Sequence, residues 1–121
     1  MLRAGGNAFD AAVAAGFAAA VAEPALTSLG GGGFLLARPA QSRPVVFDFF
    51  VDTPGRGLRA GDLEPHFVPV TVRFPGSEQL FNVGMGSVAV PGALKGYLHA
   101  HRRLGRLPLR DVLAPAVHLA R

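Results

Sequence analysis

Cysteine is absent from the 121 residues, which excludes a disulfide, a thiolate nucleophile and any cysteine-ligated metal centre within the chain. Lysine is almost absent too: of 12 basic residues only Lys95 is one. The arginines thicken between Lys95 and Arg121, and apart from Tyr97 no aromatic is interleaved with them. With no recognition helix or nucleic-acid motif beside it, that basic end reads as solvated helix surface, and no nucleic-acid partner is expected. Long apolar runs are also lacking. The stretch from Ala11 to Ala22 is about 12 residues against the roughly 20 needed to cross a bilayer, so no membrane span is expected. Arg3 ahead of that run has the look of an export signal, but Gly5, Gly6, Asn7 and Asp10 interrupt it and mark the start of a helix instead. Compartment therefore stays open.

What is present points to a folded mixed domain. Half of the residues are hydrophobic, which argues against disorder, while 16 glycines and 10 prolines exceed what a helix bundle carries. A single core, and hence one domain or part of one, is what a chain of this length supports. Asn7 is an N-cap and Asp10 places a carboxylate in the first turn of a helix. Phe9, Val13, Phe17 and Val21 recur every four residues among alanines, which predicts a helix buried on every side and closed at Glu23-Pro24. Gly30 to Gly33 lead into a short apolar strand at Phe34–Ala37. A strand after the glycines is the wrong order for a phosphate-cradling loop, so their use is close backbone approach. Pro44 to Val51 reads as a second strand, buried on both faces and paired with the first as a hairpin. A Gly/Pro-punctuated region runs from Asp52 to about Gly86, with an extended segment at Phe67 to Phe74. Ser87 to Val90 reads as a short strand, and helices are expected over Ala93 to Leu104 and from Leu109 onward, with a kink or boundary shift at Pro115.

The polar residues do not assemble into chemistry. Asp62, Glu64, His66 and Glu78 lack the spacing of metal ligands. His99 and His101 are two apart on a helix and point in different directions. These and His118 read as surface or packing residues. No catalytic residue, metal site or cofactor is assigned.

Three ordered blocks nevertheless carry a resemblance. Leu2-Arg3-Ala4-Gly5-Gly6-Asn7-Ala8-Phe9-Asp10-Ala11-Ala12-Val13-Ala14 is the first. Glu23-Pro24 with Ser28-Leu29-Gly30-Gly31-Gly32-Gly33-Phe34-Leu35 is the second. The third is Ser87-Val88-Ala89-Val90-Pro91-Gly92, followed by Gly105-Arg106-Leu107-Pro108 and Leu113-Ala114-Pro115-Ala116. In this order they resemble the early large subunit of the gamma-glutamyltransferase family, whose members are N-terminal-nucleophile hydrolases. The resemblance implies an α+β chain forming part of an α-β-β-α sandwich, within a precursor that cleaves itself into large and small subunits. It implies a threonine nucleophile at the new N-terminus of the small subunit, its α-amine acting as base, and attack on a gamma-glutamyl amide. None of Thr27, Thr53 and Thr71 lies in the context of that threonine. On this reading residues 1–121 are a partial large-subunit domain, truncated at both ends and inactive alone. Its partners are the remainder of the large subunit, the small subunit and an amide substrate. Bacterial relatives of such enzymes are often periplasmic or secreted.

One departure concerns the substrate. The family carries an arginine that pairs with the α-carboxylate of the glutamyl group, and here Asp48-Phe49-Phe50-Val51-Asp52-Thr53-Pro54 places Phe50 at that position. Planar bidentate pairing is geometrically specific, so its loss moves the expected substrate towards a different amide, as in an amidase or acylase. Arg56 and Arg59, just after the altered motif, are the candidates for a replacement carboxylate contact. The alternative reading is a small independent module that binds anions or a partner through its glycine-rich turn or its basic end.

Overall fold

The computed structural model describes residues 1–121, the side chain of Ala60 excepted. Its secondary structure is mixed: three helices, α1 (Ala8–Ala22), α2 (Ala93–Leu104) and α3 (Leu109–Leu119), and four strands, β1 (Phe34–Ala37), β2 (Val45–Asp48), β3 (Val68–Phe74) and β4 (Ser77–Val83). The α+β class is as the sequence implies. The residues cluster into two compact units, Met1–Val51 with Pro91–Arg121, and Asp52–Val90.

In the first unit α1 begins as Asn7 dictates. The Asn7 Oδ1 accepts from the backbone N–H groups of Phe9 and Asp10, and Asp10 Oδ2 accepts from Asn7 N at 2.8 Å, a reciprocal capping box. The Asp10 carboxylate does more than cap. It is fully buried, at 0% exposure, and it accepts from Arg106 N at 3.0 Å and Leu107 N at 3.3 Å in the turn between α2 and α3. His101 Nε2 lies 3.4 Å from Asp10 Oδ1 and 3.1 Å from the Leu107 carbonyl. Asn7 Nδ2 donates to Leu104 O at 2.7 Å, covering a carbonyl that the end of α2 leaves unpaired. Two side chains of α1 thus hold the end of one helix and the approach to the next.

That attachment brings α3 across α1. Val13, Ala14 and Phe17 pack on Val112 and Ala116, with Leu107 and Leu113 at the margin. The expectation that α1 is buried on every side is corrected here: Ala8, Ala12, Ala15 and Ala22 are exposed, because the helices packed on it cover one face only. α3 continues through Pro115, which lacks the N–H that the Asp111 carbonyl would otherwise accept from.

β1 and β2 pair antiparallel as expected, with Phe34 opposite Asp48 and Ala37 opposite Val45. Phe47 and Ala37 are buried against Ala100 of α2, with Phe49 and Leu104 partly buried around them. β2 is shorter than predicted and is not buried on both faces: Val45, Val46 and Asp48 are exposed. A two-stranded sheet with α2 on one face leaves the other face open.

The second unit centres on the β3–β4 hairpin, closed by Pro75 and by Gly76, whose φ of +84° is the left-handed value the turn requires. The register puts Val68 opposite Val83 and Val70 opposite Phe81, an apolar face, and Arg73 opposite Glu78 on the other face, where the two form an ion pair at 2.8 Å. Pro69 fits because a two-stranded ladder has an open edge on each strand. β4 was not anticipated, since its Ser-Glu-Gln start is polar. The predicted strand at Ser87 to Val90 is also corrected. Met85–Ser87 is a 3-10 turn held by Ser87 Oγ on Gly84 O, and only Val90 forms a bridge, to Asp52.

Burial on its own raises the Asp10 pKa. The N–H groups of Asn7, Arg106 and Leu107 and the positive charge of protonated His101 outweigh it and leave the value below that of a free carboxylate. The stabilisation is therefore complete above an ordinary carboxylate pKa of about 3.9 and is lost as pH falls through the lower folded value. Asp10→Ala should lower stability by about 3 kcal/mol, since it leaves buried donors unpaired. In urea unfolding followed by circular dichroism, the wild-type chain should lose stability below about pH 4 more steeply than Asp10→Asn. Equal acid slopes would remove Asp10 as the responsible group.

Candidate functional site

The segment from Asp48 to Arg59, where the resemblance places substrate recognition, is shaped by the glycine run before it. Gly33 and Phe49 exchange both backbone hydrogen bonds, at 3.1 and 3.2 Å, extending the β1–β2 ladder by one pair. The chain then passes so close to Gly32 that a Cβ there would stand 2.5 Å from Val51 N and 2.8 Å from the Phe50 carbonyl carbon. Backbone approach is what the glycines permit, as expected. The Gly31 carbonyl accepts from both Gly92 N and Ala93 N at 3.0 Å, satisfying donors that the start of α2 leaves open.

Phe50 follows β2, and its N–H donates to Asp48 Oδ1 at 3.0 Å, a local bond that ends the strand. Its ring is 57% exposed and lies parallel to that of Phe34, which is 63% exposed: the planes are 8° apart and the centroids 5.4 Å apart. The position thus presents a two-ring apolar surface with no charge of its own.

Arg56 and Arg59 belong to the second unit. Arg56 Nη1 is 3.4 Å from Asp52 Oδ2, a pair whose arginine side chain is 89% exposed. Solvent screening makes such a contact worth less than about 1 kcal/mol, so it leaves the guanidinium available. Arg59 caps the 3-10 turn Ala60–Asp62 through its carbonyl, which accepts from Asp62 N, and its side chain is exposed. Thr27 Oγ1 is buried with no hydrogen-bond partner among the described residues, so nothing stands ready to take its proton.

Two features of the first unit escaped the sequence reading. One is the second role of Asp10. The other is a cavity of about 470 Å³ between β2 and α2, lined on the helix side by Lys95, His99 and Arg103. The four-residue spacing of those three was the signal, hidden because the whole basic end had been read as solvated surface. Among the described residues no three of His, Asp and Glu come together as a metal site, and no helix is long and apolar enough to cross a membrane.

With that geometry in hand, comparison with known proteins is decisive for the class. The sequence model of the family Gamma-glutamyltranspeptidase matches residues 1–121, and the chain belongs to that family. Acylase ACY 1 proenzyme of Pseudomonas sp. (strain SE83) is 44% identical over 120 residues, which are 99% of this chain and 21% of that protein. Glutathione hydrolase proenzyme of Escherichia coli (strain K12) is 36% identical over 121 residues, covering 100% of this chain and 20% of that one. The crystal structure of Helicobacter pylori gamma-glutamyltranspeptidase superposes with a TM-score of 0.71 at 32% identity, over 98% of this chain and 32% of that chain. The chain spans about a fifth of the length of the curated relatives it matches.

Gly32→Ala should lower stability by roughly 2 kcal/mol, because the new methyl meets backbone and not a side-chain tip that swings aside. It should also abolish the nuclear Overhauser contacts between the Phe34 and Phe50 rings. Retention of those contacts at wild-type stability would show that Gly32 does not set the Phe50 position.

Proposed function

We propose that these residues form a non-catalytic part of the large subunit of an amide hydrolase or transferase, built as an α-β-β-α sandwich, in which they supply scaffold and pocket wall. The threonine nucleophile belongs to the small subunit of the same enzyme. The observation that carries this reading is the match over 99% or more of the chain to proteins named as proenzymes. The open faces agree with it. Val70, Phe74 and Phe81 on the β3–β4 hairpin and Val46 on β2 are all exposed, as surfaces that the rest of a larger protein covers would be in isolation.

Phe50 sets the substrate class within this reading. A guanidinium paired with a carboxylate contributes about 1.5–3 kcal/mol through charge-assisted hydrogen bonds, and a phenyl ring offers none. The Phe34–Phe50 surface instead favours an acyl group with an apolar portion, on which stacking contributes about 0.5–1.5 kcal/mol. The printed name of the 44%-identical relative, an acylase, is consistent with an amide other than a gamma-glutamyl one. Any carboxylate on the substrate is assigned to Arg56 or Arg59.

The purified 121-residue chain should not turn over a gamma-glutamyl anilide, and robust turnover would overturn the non-catalytic role. In an intact enzyme carrying this segment, Arg56→Ala with Arg59→Ala should raise KM for a carboxylate-bearing substrate about 10-fold, the equivalent of one charge-assisted bond. An unchanged KM would remove both arginines from recognition.

A further inference from the structure

We propose that the outer edge of β2 and the row Lys95, His99 and Arg103 on α2 together bind an extended, acidic segment of a partner polypeptide as an added strand. The inference needs only the strand edge and the cations, so it stands apart from the amide-hydrolase reading.

The edge is open and its donors are identifiable. The bonds exchanged by Gly33 and Phe49 fix the alternation along β2, so Phe47 and Val45 also bond towards β1. The N–H groups of Val46 and Asp48 then point away from β1, and among the described strands β2 has no other neighbour. The cavity of about 470 Å³ lies along this side. It touches every residue from Val45 to Phe49, and since successive side chains alternate between faces, a space touching all five follows the edge.

The opposite wall carries the charge. Lys95, His99 and Arg103 are four residues apart and share one face of α2. The helix runs back along the strand: Tyr97 meets Phe49 at 5.4 Å, then His99 meets Phe47 at 5.8 Å, and the Arg103 guanidinium lies 5.8 Å from the centre of the Phe47 ring. Among the described residues no ion pair engages Lys95 or Arg103. Asp48 is the one acidic residue of the lining, and one of its carboxylate oxygens already accepts from Phe50 N.

Spacing selects the occupant. Four residues of helix rise about 6 Å, and alternate residues of a strand advance about 6.7 Å. A strand on the β2 edge with carboxylates at alternate positions therefore meets the three helix residues in succession. Lys95 and Arg103 are separated by about 12 Å along the axis, which a single small anion does not bridge. Main-chain bonds to the Val46 and Asp48 amides would supply affinity, and the charged row would supply selectivity.

The isotope-labelled 121-residue chain, titrated with a synthetic heptapeptide of alternating Val and Glu, tests this directly. The expected result is binding that slows hydrogen exchange at the Val46 and Asp48 amides about 10-fold or more and weakens with added salt. Lys95→Ala with Arg103→Ala should weaken it about 10-fold, while thermal unfolding stays unchanged because both side chains are exposed. Charge reversal, Lys95→Glu with Arg103→Glu, should transfer the preference to the same peptide with Lys in place of Glu. The proposal is overturned if the acidic peptide does not bind the wild-type chain, if the lysine peptide binds it equally well, or if exchange at Val46 and Asp48 is unaffected. Inorganic phosphate binding as tightly as the peptide would also overturn it, reducing the row to a general anion patch.

Discussion

A buried carboxylate is among the least tolerable groups in a small protein unless every oxygen is occupied, and Asp10 is occupied from two directions. One set of donors comes from its own helix cap, the other from a turn 96 residues further along. Helices α1 and α3 meet through small side chains, Ala14 and Ala116 among them, whose burial contributes modestly. The pairing is therefore fixed less by the apolar contact than by the turn that Asp10 holds. Asn7 extends the same device to the end of α2 through Leu104 O. The start of α2 is held separately, by the Gly31 carbonyl. Both ends of α2 are thus anchored by polar groups from elsewhere in the chain, and the hairpin packs against a helix whose position is already set.

This anchoring positions the recognition segment. The glycine run serves α2 with one residue, Gly31, and the Asp48–Val51 backbone with its neighbours, Gly32 and Gly33. Phe50 is placed by that packing and by its bond to Asp48, whatever side chain it carries. A scaffold of this kind separates position from chemistry. The backbone that delivers an arginine in the family pattern delivers a phenyl ring here, and the Phe34 ring lies parallel beside it. Membership of the family follows from the backbone devices, whereas substrate choice follows from the one side chain that departs from them.

The helices were legible almost to the residue because their signals are local: Asn7 and Asp10 open α1, Glu23-Pro24 closes it, and Gly105 ends α2. The β1–β2 hairpin was legible for the same reason. What escaped was non-local or depended on what covers a face. The Asp10 bond to Arg106 has no periodic signature. The open face of β2 was misjudged because Val45-Val46-Phe47 is equally apolar whether one face is covered or two. β4 hides behind three polar residues, and its assignment comes from cross-strand partners such as Val70 opposite Phe81. At Ser87 to Val90 strand propensity lost to a turn stabilised by the Ser87 hydroxyl.

The two units differ in what stabilises them, and this bears on how the chain uses its surfaces. The first has a helix–helix core with fully buried Val13 and Val112. The second has a hairpin with its apolar face open, and its cross-strand ion pair is exposed and so worth less than about 1 kcal/mol. Two-stranded ribbons with one uncovered apolar face are marginal by themselves. Val68, Val70 and Phe81 thus stand to gain more from being covered than any part of the first unit, and the hairpin's order is tied to association. Local opening should therefore begin in Asp52–Val90, while the Asp10 network keeps the glycine run, Phe50 and α2 in place.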